Sequence, residues 1–117
     1  VGRPANCPSI MAVGALDSTL KVAPFSDGGI NPNGGGVDIA GPGVSVFSSF
    51  PINRGSHGTI SGTSMATPHV AGVAGMGLGA AGLDTHAHAP WQMLTGNALR
   101  LPISSRDVGA GLVQAPV

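Results

Sequence analysis

Apolar residues in this chain fall into short runs separated by stretches rich in glycine and proline, and the period of the pattern changes from run to run. Residues 9–16 centre on Ile10-Met11-Ala12-Val13 with no alternation toward a polar face, which predicts a buried parallel strand of a central sheet. Residues 37–40 predict a second short strand, closed by Gly41-Pro42-Gly43. Residues 44–50 have the β-branched and aromatic character of an edge or hairpin strand, and residues 59–61 lead out of it toward a glycine turn. Between the first two strands, Gly28-Gly29, Asn31-Pro32-Asn33 and Gly34-Gly35-Gly36 are loop chemistry and predict a surface loop over 27–36.

The pattern then becomes helical. From Thr63 or Ser64 to about Leu78 or Ala81 the chain is apolar nearly all round, which predicts a central helix buried on every side. Gly72, Gly75, Gly77 and Gly79 each cost about 1 kcal/mol relative to Ala, so packing against close neighbours must hold this helix. Pro90 fits the first turn of a second helix over 91–99, with Trp91, Leu94 and Ala98 on one stripe. Short buried strands followed by two helices mix both element types in one chain.

Composition sharpens this picture. A length of 117 residues predicts one domain, and 42% hydrophobic content is ample for a core. Charged residues make up only 9%, against about 25% in a typical soluble domain. So little polar surface predicts the interior of a larger domain, with apolar faces meant for another segment. The first residue is Val, which predicts a processed or excised piece. The formal net charge is zero and aromatics are scarce, so the chain lacks the footprint of a nucleic-acid binder. No apolar run approaches the ~20 residues that span a bilayer, so no membrane partner is expected. Cys7 stands alone, as a buried free thiol or as half of a bridge to a cysteine outside the chain.

The densest chemistry lies in Gly62-Thr63-Ser64-Met65-Ala66-Thr67-Pro68-His69-Val70-Ala71-Gly72. Gly62 predicts a tight turn that a β-carbon would resist, and Pro68 fits a helix's first turn, so the helix starts at Thr63 or Ser64. A hydroxyl there sits beside unpaired backbone N–H groups and the positive end of the helix dipole. That suits a nucleophile sharing its turn with part of an oxyanion hole. It equally suits an N-cap, since Ser and Thr cap helices routinely.

The whole eleven-residue string resembles the nucleophile motif of the subtilisin-like serine proteases, the subtilases. The resemblance extends to Val1 through Ala15, to Phe25-Ser26, to Val37-Asp38-Ile39-Ala40-Gly41-Pro42-Gly43 and to Gly109-Ala110-Gly111-Leu112-Val113, in the family's order. It implies an α/β, partial subtilisin-like fold and a secreted serine endopeptidase acting on polypeptides through an acyl-enzyme on Ser64. Gly62 and Thr63 would form the nucleophile turn. Val1, Gly2 and Pro4 would form wall and floor of the pocket for the side chain before the scissile bond, and the family's proline there is often cis. Arg3 departs from the aromatic or small residue expected beside them. In secreted members the cysteine matching Cys7 pairs with one upstream.

The family's triad runs Asp, His, Ser along the chain, and only the serine's portion is here. The resemblance therefore covers the C-terminal portion of a catalytic domain, residues 1–117. It implies a complementary segment or chain carrying the catalytic Asp and His and the oxyanion Asn. The rival reading is a truncated or pseudo-protease piece that folds or oligomerises without chemistry.

The other titratable residues have plainer roles. His57 lies seven residues before Ser64 on an extended approach at ~3.3 Å per residue, too far to serve it as base. His69 lies on the helix, turned about 140° from Ser64, and reads as a packed structural histidine. His86 and His88 alternate in a predicted loop without a carboxylate or cysteine at ligand spacing, which does not make a zinc site. Asp38 fits turn capping or a cation site, so a structural calcium stays open and no other cofactor is implied.

Overall fold

The computed structural model describes residues 1–29, 31–81 and 88–116. Its centre is a parallel pair, β1 (Val13–Leu16) and β2 (Ile39–Pro42), in register from Val13 opposite Ile39 to Leu16 opposite Pro42. Leu112 extends the layer by bridging Ala40 in parallel and Leu99 in antiparallel fashion. Both strands are buried at nearly every position, which is why their sequences do not alternate. A second, antiparallel pair, β3 (Val46–Ser49) and β4 (His57–Ile60), stands apart as a hairpin. Its 3-10 turn (Ile52–Arg54) ends at Gly55, whose φ of 89° is the left-handed conformation that glycine adopts without strain.

Helix α1 (Thr63–Ala81) follows β4 and packs on β1, β2 and the next helix, α2 (His88–Gly96). Ala66 and Val70 bury one stripe of α1, and Val70 joins Ile39, Leu94 and Val113 in the main core cluster. Small residues bring α1 close to the sheet, with Ala66 packed among Ala15 and Ala23. A β-carbon on Gly77 would collide with the Met93 side chain, so α2 leans on α1 at that point. A short α3 (Ser105–Val108), capped by the Ser104 hydroxyl accepting from the Arg106 N–H, closes the far side with Leu16, Ala40 and Val108.

The parallel strands, the hairpin strand and the central helix are present as the pattern predicts, with several differences. Strand β1 starts only at Val13, four residues into the apolar run, and Ile10 lies exposed in a bend before it. Helix α1 is not buried on every side: Ser64, Thr67, Gly72, Gly75 and Met76 are exposed, because the sheet and α2 cover only one face. Pro68 is the sixth helical residue and not in the first turn, so the Ser64 carbonyl loses the amide that would bond it four residues on. The second helix ends at Gly96, leaving Ala98 beyond it, and β2 starts two residues later than the apolar run. His88 opens α2 instead of lying in a loop, and His86 lies outside the described residues.

Candidate active site

The turn before α1 is built by two glycines. The Gly43 N–H donates to the Leu16 carbonyl at 3.0 Å, and the Gly43 carbonyl accepts from the Gly62 N–H at 2.8 Å. The ends of both core strands are thereby tied to the start of the helix. A β-carbon on Gly43 would lie 2.6 Å from Ala15 Cβ and 2.8 Å from the Gly62 carbonyl oxygen, so only glycine fits. Gly62 itself is less constrained than its motif predicts. Its φ is not positive, and a β-carbon there would meet nothing nearer than the Ser64 nitrogen at 3.7 Å. Its carbonyl instead opens the helix, accepting from the Met65 N–H at 2.9 Å. Gly43 thus carries the steric demand that the sequence reading placed on Gly62; the signal was present in Gly41-Pro42-Gly43.

Ser64 is the second residue of α1 and is exposed. Among the described residues its hydroxyl makes no hydrogen bond, and the Thr63 and Ser64 N–H groups find no backbone acceptor. These are the orphan donors of a helix's first turn, beside a hydroxyl without a partner among the described residues. Thr67 turns its hydroxyl back onto the Thr63 carbonyl at 3.0 Å.

A cleft of about 450 Å³ lies against this turn. Val1, Gly2, Arg3 and Pro4 line it together with Thr63, Ser64 and Thr67, over Met11, Val13 and Phe25. Residues from opposite parts of the sequence, Val1, Gly2 and Pro4 with Thr63 and Ser64, are therefore brought to one place, while Gly62 stands just behind it. The Arg3–Pro4 bond is cis. Hydrogen bonds pin the first segment: the Asn6 N–H donates to the Gly2 carbonyl at 3.0 Å, the Cys7 N–H to the Pro4 carbonyl at 3.1 Å, and the Asn31 side-chain Nδ2 to the Val1 carbonyl at 3.3 Å. A β-carbon on Gly2 would meet nothing within 4 Å, so the cleft is open at that position.

The histidines stand elsewhere. His57 lies in β4, where its ring stacks on Phe47 at 5.5 Å, and it is not part of the cleft lining. His69 is exposed and not packed, its ring Nδ1 held 2.8 Å from the Met65 carbonyl. Asp38 caps no turn: its carboxylate accepts from the Ala12 N–H at 2.7 Å, joining the entries of the two core strands. Partial burial raises its pKa above the ordinary carboxylate value, with the Ala12 N–H opposing. The Cys7 thiol is half-buried, 3.1 Å from the Ser9 hydroxyl, a contact that lowers its pKa. Among the described residues no three His, Cys, Asp or Glu side chains cluster as metal donors, so Asp38 gains no companions for a cation.

The subtilase family model matches residues 1–111 of this sequence. The chain belongs to the subtilase family. Subtilisin E of Bacillus subtilis is 47% identical over 76 residues, which cover 65% of this chain and 18% of that protein. A cuticle-degrading serine protease of Arthrobotrys oligospora is 48% identical over 71 residues, 61% of this chain and 16% of its own. Among solved structures, the self-cleaved protease domain of PatA superposes with a TM-score of 0.75 at 31% identity, covering 96% of this chain and 41% of that domain. The fold is accordingly a partial subtilisin-like α/β arrangement, and this subtilase chain spans less than half of each of these relatives.

Proposed function

We propose that this chain supplies the nucleophile and part of the substrate cleft of a serine endopeptidase. The histidine, the aspartate and the oxyanion asparagine would come from a complementary segment or chain, residues 1–117 being the C-terminal portion of the catalytic domain. The observation that carries this reading is the exposed Ser64 hydroxyl, beside orphan N–H groups, in one cleft with Val1, Gly2 and Pro4.

In this mechanism a peptide lies along the wall made by Val1, Gly2 and Pro4. Ser64 Oγ attacks the scissile carbonyl carbon while the complementary histidine takes its proton. The tetrahedral oxygen gains negative charge and is met by the Ser64 N–H at the helix N-terminus and by the asparagine of the other segment. The C–N bond then breaks, the histidine returns the proton to the leaving amine, and water hydrolyses the serine ester. Secretion is part of the same reading; no helix among the described residues is long and apolar enough to cross a membrane.

Casein or peptide turnover tests the division of labour. Purified 117-residue chain should show no more hydrolysis than its Ser64→Ala variant, since losing the triad histidine costs subtilisin about 10⁶ in kcat. Robust turnover of the pure chain that disappears in Ser64→Ala would overturn the need for a second segment.

A further inference from the structure

Among the described residues, Arg3 is the one cationic side chain in the lining of the Ser64 cleft, and Asp27 the one anionic side chain. Both are exposed, and among the described residues they form no ion pair within 4.0 Å. The backbone on either side of Arg3 is held by the Asn6 and Cys7 N–H groups, so its guanidinium departs from a fixed point on the wall. The other described side chains of the lining are apolar or hydroxyl, so among the described residues the guanidinium's donors meet no paired carboxylate. A guanidinium offers a planar fork of donors that matches a carboxylate bidentately.

From this we infer that Arg3 sets substrate preference: the cleft selects peptides with an Asp or Glu side chain beside the scissile bond. The inference rests on the peptidase reading for the identity of the ligand as a peptide. Asp27 works in the opposite sense, repelling a carboxylate that strays to its side of the cleft.

The test uses the native particle containing this chain, carrying Ser64→Ala so that peptides stay intact, and fluorescein-labelled octapeptides identical except for one central residue, Glu, Gln or Lys, read by fluorescence polarisation at low salt. A solvent-exposed charge pair at contact distance corresponds to about fivefold in affinity. The Glu peptide should bind about fivefold tighter than the Gln peptide and the Lys peptide weakest, with the spread shrinking as salt is added. Arg3→Gln should level Glu and Gln, Arg3→Lys should keep part of the preference, and Asp27→Asn should strengthen binding of the Glu peptide. Equal binding of Glu and Gln peptides, a preference that survives Arg3→Gln, or no binding of any peptide would overturn the inference. Fluorophosphonate labelling of Ser64 in the native particle reports separately on the peptidase reading. Acidic preference without labelling keeps Arg3 and sinks the peptidase; labelling without preference does the reverse.

Discussion

A serine hydroxyl is a weak nucleophile until a base and a set of aligned donors surround it, and Ser64 has the donors but, among the described residues, no base bonded to it. In the native particle a fluorophosphonate should therefore label Ser64 alone, and His57→Ala should leave that labelling intact, because His57 is stacked on Phe47 in β4. Peptide mapping of an adduct to Ser56 or Ser61, or loss of labelling in His57→Ala, would show the site to be misread. The glycines make a contrasting pair. Gly43→Ala drives a methyl into Ala15 and the Gly62 carbonyl and should destabilise by about 1–3 kcal/mol in urea, whereas Gly62→Ala should cost under about 1 kcal/mol. Equal costs would contradict the packing. Asp38 gives a pH signature. Its folded-state pKa is raised, so the folded chain holds that proton more tightly, and the group's contribution is greatest at low pH and lost as pH rises through the raised value. The stability of Asp38→Asn relative to wild type should grow over that same rise in denaturation series; a flat difference would contradict it. Ser64 was legible because a long motif fixes its place. Gly43 was not, because its constraint arises only when β1, β2 and the turn before α1 meet.

Helix α1 shows what pattern reveals about an element and what it hides. Its extent, Thr63–Ala81, follows from the apolar run, yet apolarity all round says nothing about which face is covered within a given chain. Ala66 and Val70 are covered; Gly72 and Gly75 face open space, with nothing within 4 Å of a β-carbon built on either. Replacing either glycine by Ala should therefore stabilise the isolated chain by about 0.5–1 kcal/mol, the helix-propensity difference alone. Thermal unfolding checks this, and destabilisation would mean that the face is occupied. Leu94 reports on the opposite side, where α2 meets the core: Leu94→Ala should cost about 2–5 kcal/mol. Boundaries slipped at β1, β2 and the end of α2, because an apolar run does not mark where pairing begins: Ile10 is apolar yet exposed before β1, and Leu99 leaves the helix to pair with Leu112.

Across the whole molecule, the low charge read from composition reappears as uncovered apolar surface. A groove of about 590 Å³ runs along the exposed face of α1 between Pro68, Gly72 and Met76 and the far edge at Leu16, Pro42 and Leu112. Phe47 and Ile52, at 70% and 90% exposure, leave the hairpin apolar as well. Surfaces of this kind usually find a partner. The isolated chain should thus associate or melt at low temperature, and light scattering with thermal unfolding would contradict this by finding a high-melting monomer at every concentration. The most direct test is fluorophosphonate treatment of the native particle containing this chain, followed by intact-mass and peptide analysis of every polypeptide in it. The expected result is one adduct, on Ser64, in a particle that also holds a segment bearing the histidine and aspartate motifs. A particle made only of the 117-residue chain that is labelled at Ser64 and cleaves peptides, or one that cleaves peptides with Ser64 unlabelled, would contradict it.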